Sequence, residues 1–257
     1  MKKLFLFIFI GFLASSCQKD ESLPNLGEKL SAVYFDDVKF YEFEYNVEGL
    51  LEAEKNKFFY HRYNYDKKLG TVSKEIYFDS RLASSNSGIA QEALNRLVWV
   101  TPQNTELTGI LVFKFDANNR LIKSTELNGY SEYDFDNNDR IKTRRMYNEG
   151  KLSGTREYDY DMLGNVKTDT QYYALENGTK QLSATTEYEY DNMKNPYYNL
   201  KPDRFHVENT NPNNITRKKY TVYNYPDAGL DERYTYTYNS LGLPTDRNDG
   251  MRYQYFQ

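Results

Sequence analysis

The chain has 257 residues, with 37 acidic against 33 basic side chains, a formal net charge of −4, two His and one Cys. Weak acidity gives no electrostatic pull toward nucleic acid, two imidazoles make no cluster for a transition metal, and one thiol forms no intramolecular disulfide. A mean hydropathy of −0.85 is too polar for a membrane-embedded chain, yet 26 Tyr and 15 Phe are too many for disorder.

In chain order, Lys2 and Lys3 precede an apolar run from Leu4 to Leu13, followed by Ala14-Ser15-Ser16 and the single Cys17. Residues 1–16 read as a secretory signal peptide. Ten apolar residues make ~15 Å of helix, about half a bilayer core, so this is not a spanning helix. The arrangement resembles a lipobox, the site at which bacterial lipoproteins are acylated on Cys and cleaved. The resemblance implies a lipid (palmitate-type) anchor on Cys17 and an outer-membrane location, on the periplasmic or the surface face. Gln18-Lys19-Asp20-Glu21 resembles the acidic surface-export signal of some Gram-negative lipoproteins. Residues 17–30, with Pro24 and Gly27, form the lipidated Cys and a flexible tether. Residues 31–257 are expected to be a single β domain.

That domain repeats one phrase: aromatic, polar, aromatic, Asp or Asn, a few turn residues, then an aliphatic. It occurs at Phe43 to Asn46, Tyr63 to Asp66, Phe113 to Leu121, Tyr133 to Ile141, Tyr158 to Val166, Tyr188 to Asp191 and Tyr234 to Gly242. Aromatics two apart share one face of a strand. Asp and the Asn or Gly residues after it form tight turns. Each phrase is therefore a strand end, a turn and the next strand start. The opposite turns are Leu127-Asn-Gly129, Asn148-Glu-Gly150 and Glu176-Asn-Gly178.

Two segments break the rhythm. Residues 80–110 contain a Ser-rich loop and Ile89, Ala90, Ala93, Leu94 and Leu97 at helical spacing, which predicts one short helix over 89–97. Trp99 follows and is expected in the core. Residues 192–214 open the fourth clean turn into an insertion with three prolines and Tyr197, Tyr198, Phe205 and His206. An insertion this long in a meander either plugs the sheet or lines a binding site.

The expected fold is all-β: an antiparallel up-and-down meander of about 12–14 strands, curled or closed into a barrel-like sheet, with one short helix. Tyrosines line one face and Glu, Asp, Lys and Thr the other.

The phrase, clearest at Tyr158 to Val166, resembles the YD repeat of Rhs and teneurin-type shells, which wrap β-sheet into hollow cocoons. A closer resemblance is to a group of uncharacterised Gram-negative lipoproteins. They share the signal, the lipobox, the YD-like hairpins, a tract like Tyr188 to Asp191 followed by Asn195-Pro196-Tyr197, and a phrase like Tyr238 to Pro244. The resemblance implies a porin-like β-meander.

Catalytic and metal signatures are weak. Asp134-Phe-Asp136-Asn-Asn138-Asp139 has Asp and Arg where a calcium loop needs Gly and Glu, so it reads as a hairpin turn. Glu187 and Glu189 read as a wet strand face, and His61 and His206 as surface or loop residues. No nucleophile elbow or phosphate loop is present, and no catalytic residue, metal ligand or cofactor is expected. The expected activity is that of a non-catalytic binding or structural module, with Tyr158, Tyr160, Tyr188, Tyr190, Tyr197 and Tyr198 as ligand-binding candidates. Besides the membrane, reached through Cys17, a glycan or other envelope polymer is the candidate partner. Alternatives are a carrier of a lipid or small molecule in a barrel interior, a glycan-acting hydrolase, and a transmembrane barrel, against which the charge density argues.

Overall fold

The computed structural model describes residues 27–78 and 99–256. The signal segment, Cys17 and the expected helix over 89–97 lie outside the described residues. The strands are β1 (Leu30–Phe35), β2 (Val38–Tyr45), β3 (Leu51–Lys55), β4 (Phe59–Asp66), β5 (Thr71–Phe78), β6 (Leu107–Phe115), β7 (Leu121–Glu126), β8 (Gly129–Phe135) and β9 (Ile141–Asn148). They continue as β10 (Lys151–Tyr160), β11 (Val166–Ala174), β12 (Lys180–Lys194), β13 (Asn213–Val222), β14 (Leu230–Arg233), β15 (Tyr236–Tyr238), β16 (Pro244–Arg247) and β17 (Met251–Tyr255). A one-turn helix, α1 (Val207–Thr210), lies between β12 and β13.

Sequence neighbours pair antiparallel from β1 through β14 and from β15 through β17. β1 pairs with β2 on one side and β17 on the other, so the first and last strands meet. The ladder is not closed by hydrogen bonds: it breaks between β14 and β15, separated only by Tyr234 and Thr235. The expected meander is therefore present, but with 17 strands. The phrases account for two strands each, β2 to β13 together with β15 and β16. The excess over the expected 12–14 is β1, β17 and β14, which the kink at Tyr234-Thr235 cuts off from β15.

The phrase works through its acid. Asp116 Oδ1 accepts from the backbone N–H groups of Asn118 and Arg120, and Oδ2 from Arg120 Nε. Asp136 repeats this with Asn138 and Arg140, and Asp161 with Leu163 and Asn165. One carboxylate thus satisfies the turn amides two and four residues on. The residue just before the last of these amides takes the left-handed backbone: Asn119 (φ 59°), Asp139 (φ 59°) and Gly164 (φ 89°). Where the second aromatic is Tyr, it closes the hairpin from inside, its phenol donating to the carbonyl that begins an earlier phrase strand. Tyr65 bonds Leu51 O at 2.8 Å, Tyr160 bonds Ile141 O at 2.7 Å and Tyr190 bonds Val166 O at 2.6 Å.

At Asp191 the same turn is cut open. Its Oδ1 accepts from Met193 N, two residues on, and then from Asn214 N, 23 residues on. Asn214 Nδ2 also reaches Asp191 Oδ2, as Asn165 does at Asp161. The insertion is therefore spliced between the third and fourth turn positions, and Ile215 resumes the strand where Ile141 and Val166 do. The inserted segment enters the sheet's interior. Phe205 and Val207 are buried in the same cluster as Phe113, Tyr133, Tyr158 and Tyr188, with Tyr197 and Leu200 packed against it. Phe205 stacks on Tyr133 at 5.9 Å between centroids, and the Arg144 guanidinium lies over the Phe205 ring at 4.1 Å. Asparagines tie the segment to the wall: Asn211 Oδ1 accepts from Val166 N at 2.7 Å and its Nδ2 donates to Tyr190 Oη. The insertion is a plug.

Two expectations change. His61 is not a surface residue: it sits on β4 with its side chain 13% exposed and facing inward. The interior face is also not purely aromatic, since Glu54, Lys74, Arg156 and Asp169 stand on it. Trp99 is half-buried outside the strands.

Candidate functional site

Period-two alternation decides which polar groups face inward. On β5, Val72, Lys74 and Ile76 share one face; on β10, Arg156 shares it with Tyr158 and Tyr160; on β13, Lys218 shares it with Tyr220 and Val222. Around the plug these residues line a partly open interior cleft of about 460 Å³. Its aromatic wall includes Tyr41, Phe59, Tyr234 and Tyr253, and Tyr197 from the plug. Its polar wall combines Glu54, His61 and Lys74 from β3 to β5 with Lys201, Asp203 and His206 from the plug, and with Lys218 and Arg247 opposite. A second cleft beyond α1, with Arg156, Thr186, Tyr188 and Tyr220, shares His206, Glu208 and Lys218 with the first.

Most charges here are tied in pairs. Lys201 Nζ lies 2.7 Å from Glu54 Oε1, and Glu54 is 3% exposed. Burial alone would raise the Glu54 pKa; Lys201, helped by His61, outweighs it and brings it to about 2. Arg156 pairs with the fully buried Asp169 at 2.7 Å. Burial still holds the Asp169 pKa above its usual value, against the pull of Arg156. Lys74 differs. Among the described residues its ammonium has no carboxylate within ion-pairing distance, and it lies over the Tyr63 ring at 5.9 Å from the centroid. Burial lowers its pKa, while Asp203 and Glu54 act from farther off in the other direction.

The imidazoles give a pH dependence. Burial pushes the pKa of His61 below 6.5, with Lys74 and Lys201 adding to the shift and the Glu54 contact opposing it. His206 shifts the same way, but its ring is half exposed and weighs less. A base with a depressed folded pKa binds protons first in the unfolded state, so stability falls as pH drops below 6.5. The melting temperature is therefore expected to hold from pH 8.5 to 7 and to fall toward pH 5, with a flatter profile in His61→Gln. Identical profiles for the two proteins would refute the assignment.

Of the six tyrosines singled out in the sequence, Tyr197 lines the large cleft and Tyr188 the second. Tyr158 is buried in the core, Tyr160 and Tyr190 are half-buried with their phenols bonded to backbone carbonyls, and Tyr198 is 47% exposed in a groove shared with Glu28 and Lys29. Glu54, Lys74, Lys201 and Lys218 were not anticipated. For Lys74 a signal existed, a cation on the apolar face of an alternating strand.

No family model matches the chain, and no curated protein matches it. Among solved structures it is similar to a porin-like protein from Bacteroides uniformis, at 10% identity and a TM-score of 0.50, covering 84% of this chain and 90% of that one. A porin-like protein from Bacteroides vulgatus aligns over 89% of this chain and 99% of its own, at 10% identity and a TM-score of 0.47. A TcdB2–TccC3 toxin structure matches 77% of this chain but 14% of its own, at a TM-score of 0.20. At these identities the first likeness is one of fold: the chain is an antiparallel β-meander of the shape seen in a porin-like protein.

Proposed function

We propose that the chain is a lipid-anchored cell-envelope protein whose β-meander serves as a non-catalytic binding module and neither spans the bilayer nor conducts. The observation that carries this reading is the charge on the outer sheet face. Arg217 bridges Glu189 at 2.8 Å and Asp231 at 2.7 Å, Lys219 lies 3.8 Å from Glu187, and Lys180 and Arg145 pair with Glu157 and Asp134. A membrane-spanning barrel needs a continuous apolar band on that face. With the wall polar outside and plugged inside, attachment to the envelope falls to Cys17. The interior cleft favours a small-molecule carrier as the second reading. Glu54 and Asp169 are each committed to a cation, which supports a structural role for them over acid–base chemistry.

The test is expression of the full chain and of Cys17→Ala in a Gram-negative host with labelled palmitate, followed by urea extraction of membranes. The wild type should be labelled and stay with the outer membrane, and the variant should be unlabelled and extracted. An unlabelled wild type removes the anchor. A variant that resists extraction makes the sheet itself membrane-embedded.

A further inference from the structure

We infer that the interior cleft binds one or two units of an acidic saccharide, with Lys74 receiving the sugar's carboxylate. This rests on the binding-module reading and names its ligand class. Three observations converge on it. First, the size suits a small ligand: about 460 Å³ falls within the range of ~300–1,000 Å³ typical of small-molecule sites, and the plug closes the interior to a threading polymer. A chain end fits; a continuous strand does not.

Second, the lining combines two surfaces that a sugar requires together. Tyr41, Phe59, Tyr234 and Tyr253 offer aromatic area for the apolar faces of pyranose rings. Glu208 offers an exposed carboxylate for hydroxyl groups, and Asp203, whose Oδ1 accepts from Asn209 Nδ2, keeps its other oxygen. A lipid would not need these polar groups, and an inorganic anion would not need the rings.

Third, the charges are unevenly satisfied. Glu54 has Lys201, and Arg247 has Asp249 at 2.6 Å. Lys218 has Glu232, at the long distance of 3.9 Å. Lys74 has no carboxylate partner of its own among the described residues, although it stands on the cleft wall, where His61 turns its buried Nδ1 toward Glu54 Oε2 at 3.5 Å. A half-buried ammonium without a direct ion-pair partner is costly to fold around. A ligand carboxylate at Lys74 forms a charge-assisted bond in a desolvated site.

The experiment uses the purified full chain and measures binding by calorimetry and by thermal shift. The probes are galacturonate, digalacturonate, galactose and acetate. Uronates should bind, galactose should bind at least about tenfold more weakly, and acetate should not bind. Lys74→Gln should lose about tenfold or more in uronate affinity and no longer distinguish it from galactose, while Lys74→Arg keeps most of the affinity. Because Lys74→Gln breaks no ion pair among the described residues, its melting temperature should equal or exceed that of the wild type, so loss of binding does not reflect misfolding. Tyr234→Ala, at a half-buried position, should weaken acidic and neutral sugars alike. The inference is overturned if no saccharide binds, if acetate binds as well as uronate, or if Lys74→Gln leaves uronate affinity unchanged. None of these outcomes depends on palmitate labelling, so failure here is separable from failure of the anchor.

Discussion

Replacing Lys201 by Met should destabilise the protein more than any other single change of charge. Lys201 is the counter-ion of Glu54, which is 3% exposed and accepts from it at 2.7 Å. Removing one partner of a buried ion pair costs about 3–5 kcal/mol, because the remaining charge is left desolvated. For a chain of this size that is a fall of roughly 6–20 °C in melting temperature. Glu54 then has its nearest strong counter-charge removed, so its pKa rises from about 2 and the penalty shrinks at acid pH as the carboxyl takes up a proton. Wild-type stability from this group runs the other way: it is present above the unfolded value of 4.5 and lost as pH falls toward about 2. The double variant Glu54→Gln, Lys201→Met should recover most of the loss. Thermal melts of the four proteins at pH 7 and pH 5 decide it. A single variant as stable as the wild type at pH 7 would show that the pair is not held dry.

The second large effect belongs to the plug. Replacing residues 194–212 with a Gly-Ser linker removes Phe205, Val207, Tyr197 and Leu200 from the shared core and strands Glu54 at the same time. Phe205→Ala alone should cost about 3–5 kcal/mol, the range for a large core aromatic, since Phe205 is 8% exposed and packed on Tyr133 and Phe113. The linker variant should lose more than this and melt without a sharp transition. Chemical denaturation followed by circular dichroism reads both. Retention of wild-type stability by the linker variant would mean that the wall stands without its filling.

The hairpins were legible because their instructions are local. Asp136 needs only the amides two and four residues on, so aromatic-x-aromatic-Asp can be read without knowing the rest of the fold. Lys74 was legible in principle, since Val72-x-Lys74-x-Ile76 keeps strict alternation. Glu54 was not. A bulge opposite Glu44 and Tyr45 puts Leu51 and Glu54, three residues apart, on the same inner face, and parity counting places one of them outside. The docking of the insertion was hidden for another reason. Lys201 meets Glu54 across 147 residues, and nothing near either position announces the other. His61 looked like a surface residue because imidazoles usually are; its burial follows from the insertion, whose Lys201 docks on Glu54, 3.5 Å from the imidazole.

The splice at Asp191 separates the wall from its contents. Because Met193 N and Asn214 N are held by the same carboxylate, the strands on either side keep the geometry of an ordinary five-residue turn whatever lies between them. Lengthening such an excursion is inexpensive: doubling a loop costs only ~0.6 kcal/mol in closure entropy. The scaffold can therefore accept inserted segments of different length and chemistry at this one point without re-registering a strand. The Asp turn acts as a socket, and the lining of the cleft can diversify through the segment fitted into it while the seventeen-stranded frame stays constant.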